Sequence, residues 1–184
     1  MEITVIRSRR RSIAMQMKPD GSVLVRAPWL LPQREVRRFV ENHQSWIQNQ
    51  LKKQAAAQEL RDAVEPLDER ELKALRESAR RDLTQRSAFW AERLGVTYGR
   101  ISIRHQRSRW GSCSSKGNLN FNCLLMLAPE SVRDYVVVHE LCHRKHMNHS
   151  PAFWQMVEQV LPDWRNAKTW LKRNGETLML RNPV

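Results

Sequence analysis

The chain has 184 residues, of which 41% are hydrophobic and 28% charged, and it carries a formal net charge of +13. This composition excludes a disordered or fibrous protein and allows one domain, or one domain with a helical appendage, around a hydrophobic core. The positive charge favours acidic or nucleic-acid-associated partners, although a basic protein without a dedicated partner has the same composition.

Cysteine usage and hydropathy predict a cytoplasmic protein. The three cysteines, Cys113, Cys123 and Cys142, form no CxxC pair. So sparse and odd a number is typical of reduced thiols. The basic N-terminus is not followed by an apolar stretch of signal-peptide length. No run approaches about 20 apolar residues, so we expect no membrane-spanning helix and no membrane partner.

The N-terminal third of the chain is predicted to combine strands with a helix. Alternating apolar residues within 2–27 predict β structure, with a turn at Asp20-Gly21. The basic run Arg7–Arg11 is expected in a solvated turn or at a sheet edge. A helix then begins near Pro32 and carries an apolar stripe as far as Leu51.

A change of composition marks a candidate domain boundary. Residues 52–69 are first rich in Lys, Gln and Ala and then acidic, and Pro66 is a helix breaker. We therefore expect a β-rich N-terminal segment plus helix over 1–65 and a second domain over 66–184, or a single compact unit. A second helix follows the link and is expected to end at Gly95.

The second half predicts an α+β arrangement. A β pattern returns between Ile101 and Leu127, interrupted by a hairpin turn at 114–118. Pro129 opens a third helix, and Ser150-Pro151 is typical of the start of a fourth. A last short helix is expected to stop at Asn174-Gly175.

The segment from His139 to His143 matches H-E-x-x-H and falls inside the third predicted helix. Residues four apart lie about 40° apart around a helix and about 6 Å along it, so both imidazoles can reach one ion. Zinc accepts neutral imidazole nitrogen, and a catalytic zinc site leaves one of four positions to water. Glu140 can reach that water without binding the metal, which predicts a general base.

His149 is the predicted third ligand. It follows His143 by six residues, which is the spacing in H-E-x-x-H-x-x-G-x-x-H sites. His146 replaces the glycine of that pattern, so the chain must turn by other means, and Asn148 tolerates the conformation that ends helices. His146 itself lies about 7 Å beyond the midpoint of the first pair and is expected to pack nearby. Glu158 is the fallback ligand.

Three stretches carry a resemblance to a known family. Residues 109–122, which begin Arg109-Trp110-Gly111-Ser112-Cys113, together with 135–143 and 145–151, resemble the YgjP-like zinc metallopeptidases. That family is related to the WLM and SprT-like peptidases. The resemblance covers most of the chain and implies a small zincin-like catalytic domain, with antiparallel strands beside an H-E-x-x-H helix.

The resemblance also implies roles for individual residues. His139, His143 and His149 would bind Zn²⁺, and Glu140 would be the catalytic base. In zinc peptidases an exposed strand beside the metal helix commonly pairs with an extended peptide, and we expect the strand from Asn118 to Cys123 to do so. Trp110 either contacts the substrate or packs in the core, with Gly111 allowing close backbone approach. The candidate substrate-binding residues are Arg109, Trp110, Asn118, Asn120 and Asn122.

Three functions remain in competition at this point. The favoured one is a zinc metallopeptidase, for which Tyr135 and Arg109 are candidate donors to the oxyanion. The second is a nucleoside triphosphate hydrolase or pyrophosphatase, which the basic charge would suit but for which the sequence has no G-x-x-x-x-G-K-[ST] loop. The third is a basic nucleic-acid-associated module with a structural metal, although structural sites avoid an open coordination position.

Overall fold

The computed structural model describes residues 2–182 and has an α+β fold, as the sequence predicts. The chain divides into two compact units, Met1–Ala63 and Val64–Val184. Within the described residues, no helix is both long enough and apolar enough to cross a membrane.

The first unit is a three-stranded sheet followed by two helices. The strand order is β1-β3-β2, and the central strand is parallel to β1 and antiparallel to β2. The side chains of β3 and of the helices form a small apolar core of their own. The elements are β1 (Ile3–Ser8), β2 (Ala14–Met17), β3 (Val23–Pro28), α1 (Gln33–Asn42) and α2 (Gln44–Ala63).

One sequence expectation in this unit is corrected. The link expected over 52–69 is helical as far as Ala63, because its alanine, lysine and glutamine content has high helix propensity. Arg7 takes the second of its two expected places, since it lies in the edge strand β1. Its guanidinium donates to the carbonyl oxygens of Pro28, Trp29 and Leu31 at 2.5–3.3 Å, which fixes the chain after β3.

The second unit contains the H-E-x-x-H helix. Its sheet has the order β4-β6-β5, with β6 parallel to β4 and antiparallel to β5. Each sheet of the protein thus contains the expected antiparallel pair and also a parallel pair. The elements are α3 (Glu69–Leu94), β4 (Ile101–Arg104), β5 (Gly111–Cys113), β6 (Leu119–Asn122), a 3₁₀ helix (Cys123–Leu127), α4 (Glu130–Cys142), α5 (Pro151–Val160) and α6 (Trp164–Leu180).

Burial and an ion network hold α4 in place. Its central residues, including Val137, Val138 and Leu141, are fully buried in the larger core. One turn earlier in the helix, Asp134 accepts hydrogen bonds from Arg86 of α3 at 2.7 Å and from Trp90 at 2.8 Å. The helix that carries the motif is therefore fixed against α3 by both apolar packing and charge-assisted hydrogen bonds.

Both ends of α3 are capped. Asp68 and Glu71 form a reciprocal capping box at its start. Gly95 ends the helix as predicted, in the left-handed conformation with a φ of 59°.

Two further expectations in this unit are corrected. Residues 123–127 form a 3₁₀ helix instead of extending the strand, because the Asn122 side chain accepts a hydrogen bond from Leu124 N at 3.1 Å and caps it. The last helix does not stop at Asn174-Gly175 but continues to Leu180. A Cβ at Gly175 would lie 3.4 Å from the Trp110 ring, so the glycine serves close packing inside a helix.

Candidate metal centre

Three imidazoles converge at the C-terminal end of α4. His139 lies in the last turn of the helix, His143 is the residue at its end, and His149 precedes α5. One nitrogen from each ring lies within 4.8 Å of the others. The Nε2 atoms of His139 and His149 are 3.0 Å apart. The structure therefore brings together all three histidines for which the sequence predicts metal binding.

The rings are suited to binding a metal ion. Burial, followed by the neighbouring imidazoles, lowers the pKa of His139 to about 3, so the ring is neutral and keeps a free lone pair. His143 donates from Nδ1 to the carbonyl oxygen of His146 at 3.0 Å, which leaves Nε2 as the ligand atom. Phe153 is fully buried beneath the cluster, with its ring 4.8–4.9 Å from each imidazole ring. Imidazole nitrogen donors packed on an apolar ring fit a divalent transition metal.

The two other candidate ligands lie outside this cluster. His146 contributes its carbonyl oxygen to His143, and its ring is not one of the three that converge. Glu158 pairs instead with Arg165 at 2.5 Å on the exposed side of α5. Neither the His146 ring nor the Glu158 carboxylate belongs to the cluster of His139, His143 and His149.

Glu140 is buried between α4 and the sheet. Its residue surface is only 6% exposed, and burial raises the pKa of its carboxyl to about 7. The main-chain N–H of Cys113 hydrogen-bonds this carboxylate and opposes the shift. A Cβ at Gly111 would lie 2.8 Å from Glu140 Cγ and Oε1, so only glycine leaves room for this side chain.

The strand nearest to Glu140 is the edge strand β5. Asn122 N donates to Trp110 O, and Ser114 N donates to Asn118 O, so alternate residues of β5 bond to β6. The main-chain groups of Gly111 and Cys113 therefore face away from β6, towards the metal helix. The strand expected to receive a peptide, Asn118 to Cys123, is instead the central strand, which already has a partner on each side.

A cavity of about 260 Å³ opens beside His139 and Glu140. Its walls are mainly apolar and come from β5, the segment before it, α4 and α6. Both candidate oxyanion donors lie in its lining, and burial raises the pKa of the Tyr135 phenol to about 12. The lining residues are Ser108, Arg109, Trp110, Gly111, Tyr135, Val136, His139, Glu140 and Leu171.

The predicted substrate-binding residues divide into two groups. Arg109 and Trp110 line the cavity, and Trp110 also packs against α6. The three asparagines instead hydrogen-bond within the protein. Asn118 accepts from Arg100 N, Asn120 donates to Ser112 Oγ, and the fully buried Asn122 donates to the carbonyl oxygens of Gln106 and Arg109 while its own oxygen accepts from Leu124 N. This leaves no polar group of Asn122 for a substrate.

The family model described as YgjP-like, metallopeptidase domain, matches two overlapping stretches, residues 11–73 and 65–174. The chain belongs to the YgjP-like metallopeptidase family. Membership in this family implies a catalytic metal and a peptide or protein substrate. The searched set of curated proteins contains no match.

Solved structures similar to this YgjP-like chain include two archaeal metallopeptidase zymogens. Abylysin of Pyrococcus abyssi is 27% identical with a TM-score of 0.46, and the match covers 55% of this chain and 99% of that one. Jannalysin of Methanocaldococcus jannaschii is 17% identical with a TM-score of 0.46, and that match covers 50% of this chain and 95% of the other.

Some residues at the YgjP-like centre could not be identified from the sequence. Lys168 of α6 lies with its ammonium 4.5 Å from the Trp154 ring centroid, and its charge contributes to lowering the pKa of His139 and His149. The Ser150-Pro151 signal located the start of α5 but not the contact of Phe153 with the histidines. Lys168 had no local signal, because only the tertiary fold brings α6 to the centre.

The different surroundings of Asn122 and Asn120 predict different effects on stability. Asn122→Ala removes three hydrogen bonds in a fully buried place, so we expect the free energy of unfolding to fall by about 2–3 kcal/mol. Asn120→Ala removes a single bond from a half-buried residue and should cost less than about 1 kcal/mol. Urea denaturation of both variants measures the difference. Equal losses of unfolding free energy would show that burial does not make Asn122 more important to stability than Asn120.

Gly111→Ala should disable catalysis without removing the metal. The added methyl group needs space that Glu140 Cγ and Oε1 occupy, so the carboxylate must move. With Glu140 as the general base that the sequence predicts, we expect peptide turnover to fall by roughly 10- to 100-fold, since a misplacement of about 1 Å costs of this order. Metal affinity, measured by chelator competition, should stay within a few-fold of wild type. Unchanged turnover would mean that catalysis does not depend on the position that the Glu140 carboxylate has beside Gly111.

Proposed function

We propose that this YgjP-like protein is a zinc-dependent peptidase in which His139, His143 and His149 hold the metal and Glu140 is the general base. The observation that carries the proposal is the convergence of three imidazoles at the end of a helix whose buried carboxylate lies beside the edge strand β5. Three protein ligands with one open position are typical of catalytic zinc.

Zinc is the proposed metal because the donor set is made only of imidazole nitrogen. Imidazole suits zinc, copper, iron and nickel, whereas calcium and magnesium prefer oxygen. When bound, a zinc ion supplies Lewis-acid activation of the peptide carbonyl and of the attacking water. The protein's own contribution lies in the groups that surround that position.

Glu140 is placed to move the proton of the reaction. Its carboxylate is shielded from solvent, and a pKa of about 7 is close to the optimum for accepting a proton near neutral pH. In the proposed cycle a carboxylate oxygen of Glu140 takes a proton from the attacking water. The same oxygen then gives that proton to the nitrogen that leaves when the peptide bond breaks.

The edge of β5 is proposed to position the substrate. The N–H of Cys113 is bonded to Glu140, so an extended peptide would pair with the remaining outward-facing main-chain groups of β5, those of Gly111 above all. This pairing would lay the peptide across the end of α4. A side chain of the peptide can then enter the cavity formed by Trp110, Tyr135, Val136 and Leu171. These walls are apolar, so we expect a preference for an apolar residue next to the cleaved bond.

The same cavity argues against nucleotide hydrolysis. A triphosphate requires several positive charges or a phosphate-binding loop around the reacting group. In the described part of the chain, Arg109 is the one Arg or Lys in the cavity lining, beside mostly apolar side chains. Lys168 adds a second cation near His139 and His149. Two cations without a phosphate-binding loop are fewer groups than a triphosphate requires.

Direct comparison of substrates tests the proposal. Purified protein, stripped of metal and then reloaded with zinc, is offered an unfolded protein mixture, a peptide library and a panel of nucleoside triphosphates. We expect zinc-dependent appearance of new peptide termini, detected by mass spectrometry, and no release of phosphate or pyrophosphate. Zinc-dependent phosphate or pyrophosphate release without peptide cleavage would overturn the peptidase assignment in favour of the nucleotide hydrolase.

A further inference from the structure

A basic groove lies beside β4, on the edge of the sheet opposite to β5. Its volume is about 570 Å³, and it runs along the whole strand with α3 as its other wall. The lining includes no acidic and no aromatic side chain. The seven residues that line it are Arg80, Thr84, Arg100, Ile101, Ser102, Ile103 and Arg104.

The three arginines of this groove are exposed to solvent and can contact a ligand. Within residues 2–182, none of the ion pairs formed involves Arg80, Arg100 or Arg104. By contrast, Arg86 and Arg133 form ion pairs with carboxylates between α3 and α4 and so stabilise the fold. The charge beside β4 is thus not neutralised by the protein itself.

The main chain of β4 is also free to pair. Leu119 N donates to Arg100 O at 3.0 Å, and Ile101 is opposite Leu119 in a parallel ladder. In this register the even-numbered residues of β4 bond to β6. The N–H and C=O groups of Ile101 and Ile103 therefore face away from β6, at the open edge of the sheet. A row of unpaired main-chain groups is a template for another strand.

We propose that this groove binds an acidic, extended segment of another protein, which adds to β4 as a further strand. The main chain of the segment would pair with Ile101 and Ile103, and its carboxylates would contact the arginines. Arg100 and Arg104 lie on one face of the strand, about 13 Å apart at the usual rise per residue. Acidic residues four positions apart in the segment match this spacing.

Other occupants fit the groove less well. A second copy of this chain would bring a net charge of +13 and the same arginines against each other. Single-stranded nucleic acid is normally held by aromatic stacking as well as by positive charge, and the lining contains no aromatic ring. An acidic peptide uses both features of the groove, the charge and the open strand edge.

This proposal goes beyond the peptidase function and does not require catalysis, because the groove is on the far edge of the sheet from the metal centre. It is tested by fluorescence anisotropy with the full-length Glu140→Gln protein, so that cleavage does not confuse binding. The probe is a labelled ten-residue peptide of alternating glutamate and valine. A second probe has the same sequence with alternate amide nitrogens methylated, which keeps the charge but removes strand pairing.

The expected result is saturable binding of the unmodified peptide, which weakens as salt is raised. N-methylation should weaken it at least tenfold, and so should the double change Arg80→Glu with Arg104→Glu. Arg173→Glu, an equal charge change at an exposed arginine outside the groove, should alter the affinity less than twofold. Equal binding of the methylated peptide, no effect of the groove variants, or tighter competing binding by an oligonucleotide of equal charge would each overturn the proposal.

Discussion

Replacing Glu140 with glutamine is expected to lower peptide turnover by roughly 10²- to 10⁴-fold while the metal and the fold are retained. Glutamine has nearly the same shape, so the contact with Gly111 persists, but an amide oxygen cannot take a proton from water at neutral pH. The change therefore separates proton transfer from packing. Steady-state kinetics should show the loss mainly in kcat, with zinc content unchanged.

A matched control for this variant is Glu158→Gln. Glu158 is on the next helix, α5, and pairs with the exposed Arg165. Its loss should leave turnover within about twofold, because exposed ion pairs contribute little. Comparable losses in the two variants would remove Glu140 from its proposed role and return Glu158 to consideration as a ligand.

The second large effect is expected on metal binding. His149→Ala should weaken zinc affinity by well over 100-fold, since even groups that only orient ligands change affinity by about 10- to 100-fold. His149 is exposed and lies in a loop between helices, so the fold should tolerate its removal. Competition with a chromophoric chelator measures the affinity directly.

His146→Ala is the appropriate control for that measurement. It removes a nearby imidazole but keeps the carbonyl oxygen that accepts a hydrogen bond from His143 Nδ1. We expect zinc affinity within about threefold of wild type. If His146→Ala loses zinc and His149→Ala retains it, the proposed third ligand is wrong.

The sequence predicted the grouping of the histidines because the spacing is local. His139 and His143 are four positions apart and therefore lie on one face of the helix. His149 follows six residues later, after a tight turn, so its ring has few places to go. The signals at Gly95 and Ser150 located helix ends for the same reason. Interactions between residues close in the chain are readable from their types and spacing.

Features of the fold that depend on contacts between residues far apart in the sequence could not be predicted. Alternation of apolar residues predicts strands, but it does not say which strand lies at the edge. The sequence therefore predicted an exposed strand at Asn118 to Cys123, where the structure has the central strand β6. Asn-Gly at 174–175 normally ends a helix, yet α6 continues because Trp110 packs on the glycine. Asn122 looked available to a substrate until its three partners within the protein were known.

Anomalous diffraction at the zinc edge, from crystals of the zinc-loaded protein, is the most direct test of the proposed centre. We predict one zinc ion with nitrogen from His139, His143 and His149 at about 2.0–2.1 Å. The Glu140 carboxylate should lie outside the coordination sphere and face its open position. A zinc ion bound elsewhere, or one that takes His146, Glu158 or Glu140 as a ligand in place of any of the three histidines, would contradict the proposed centre.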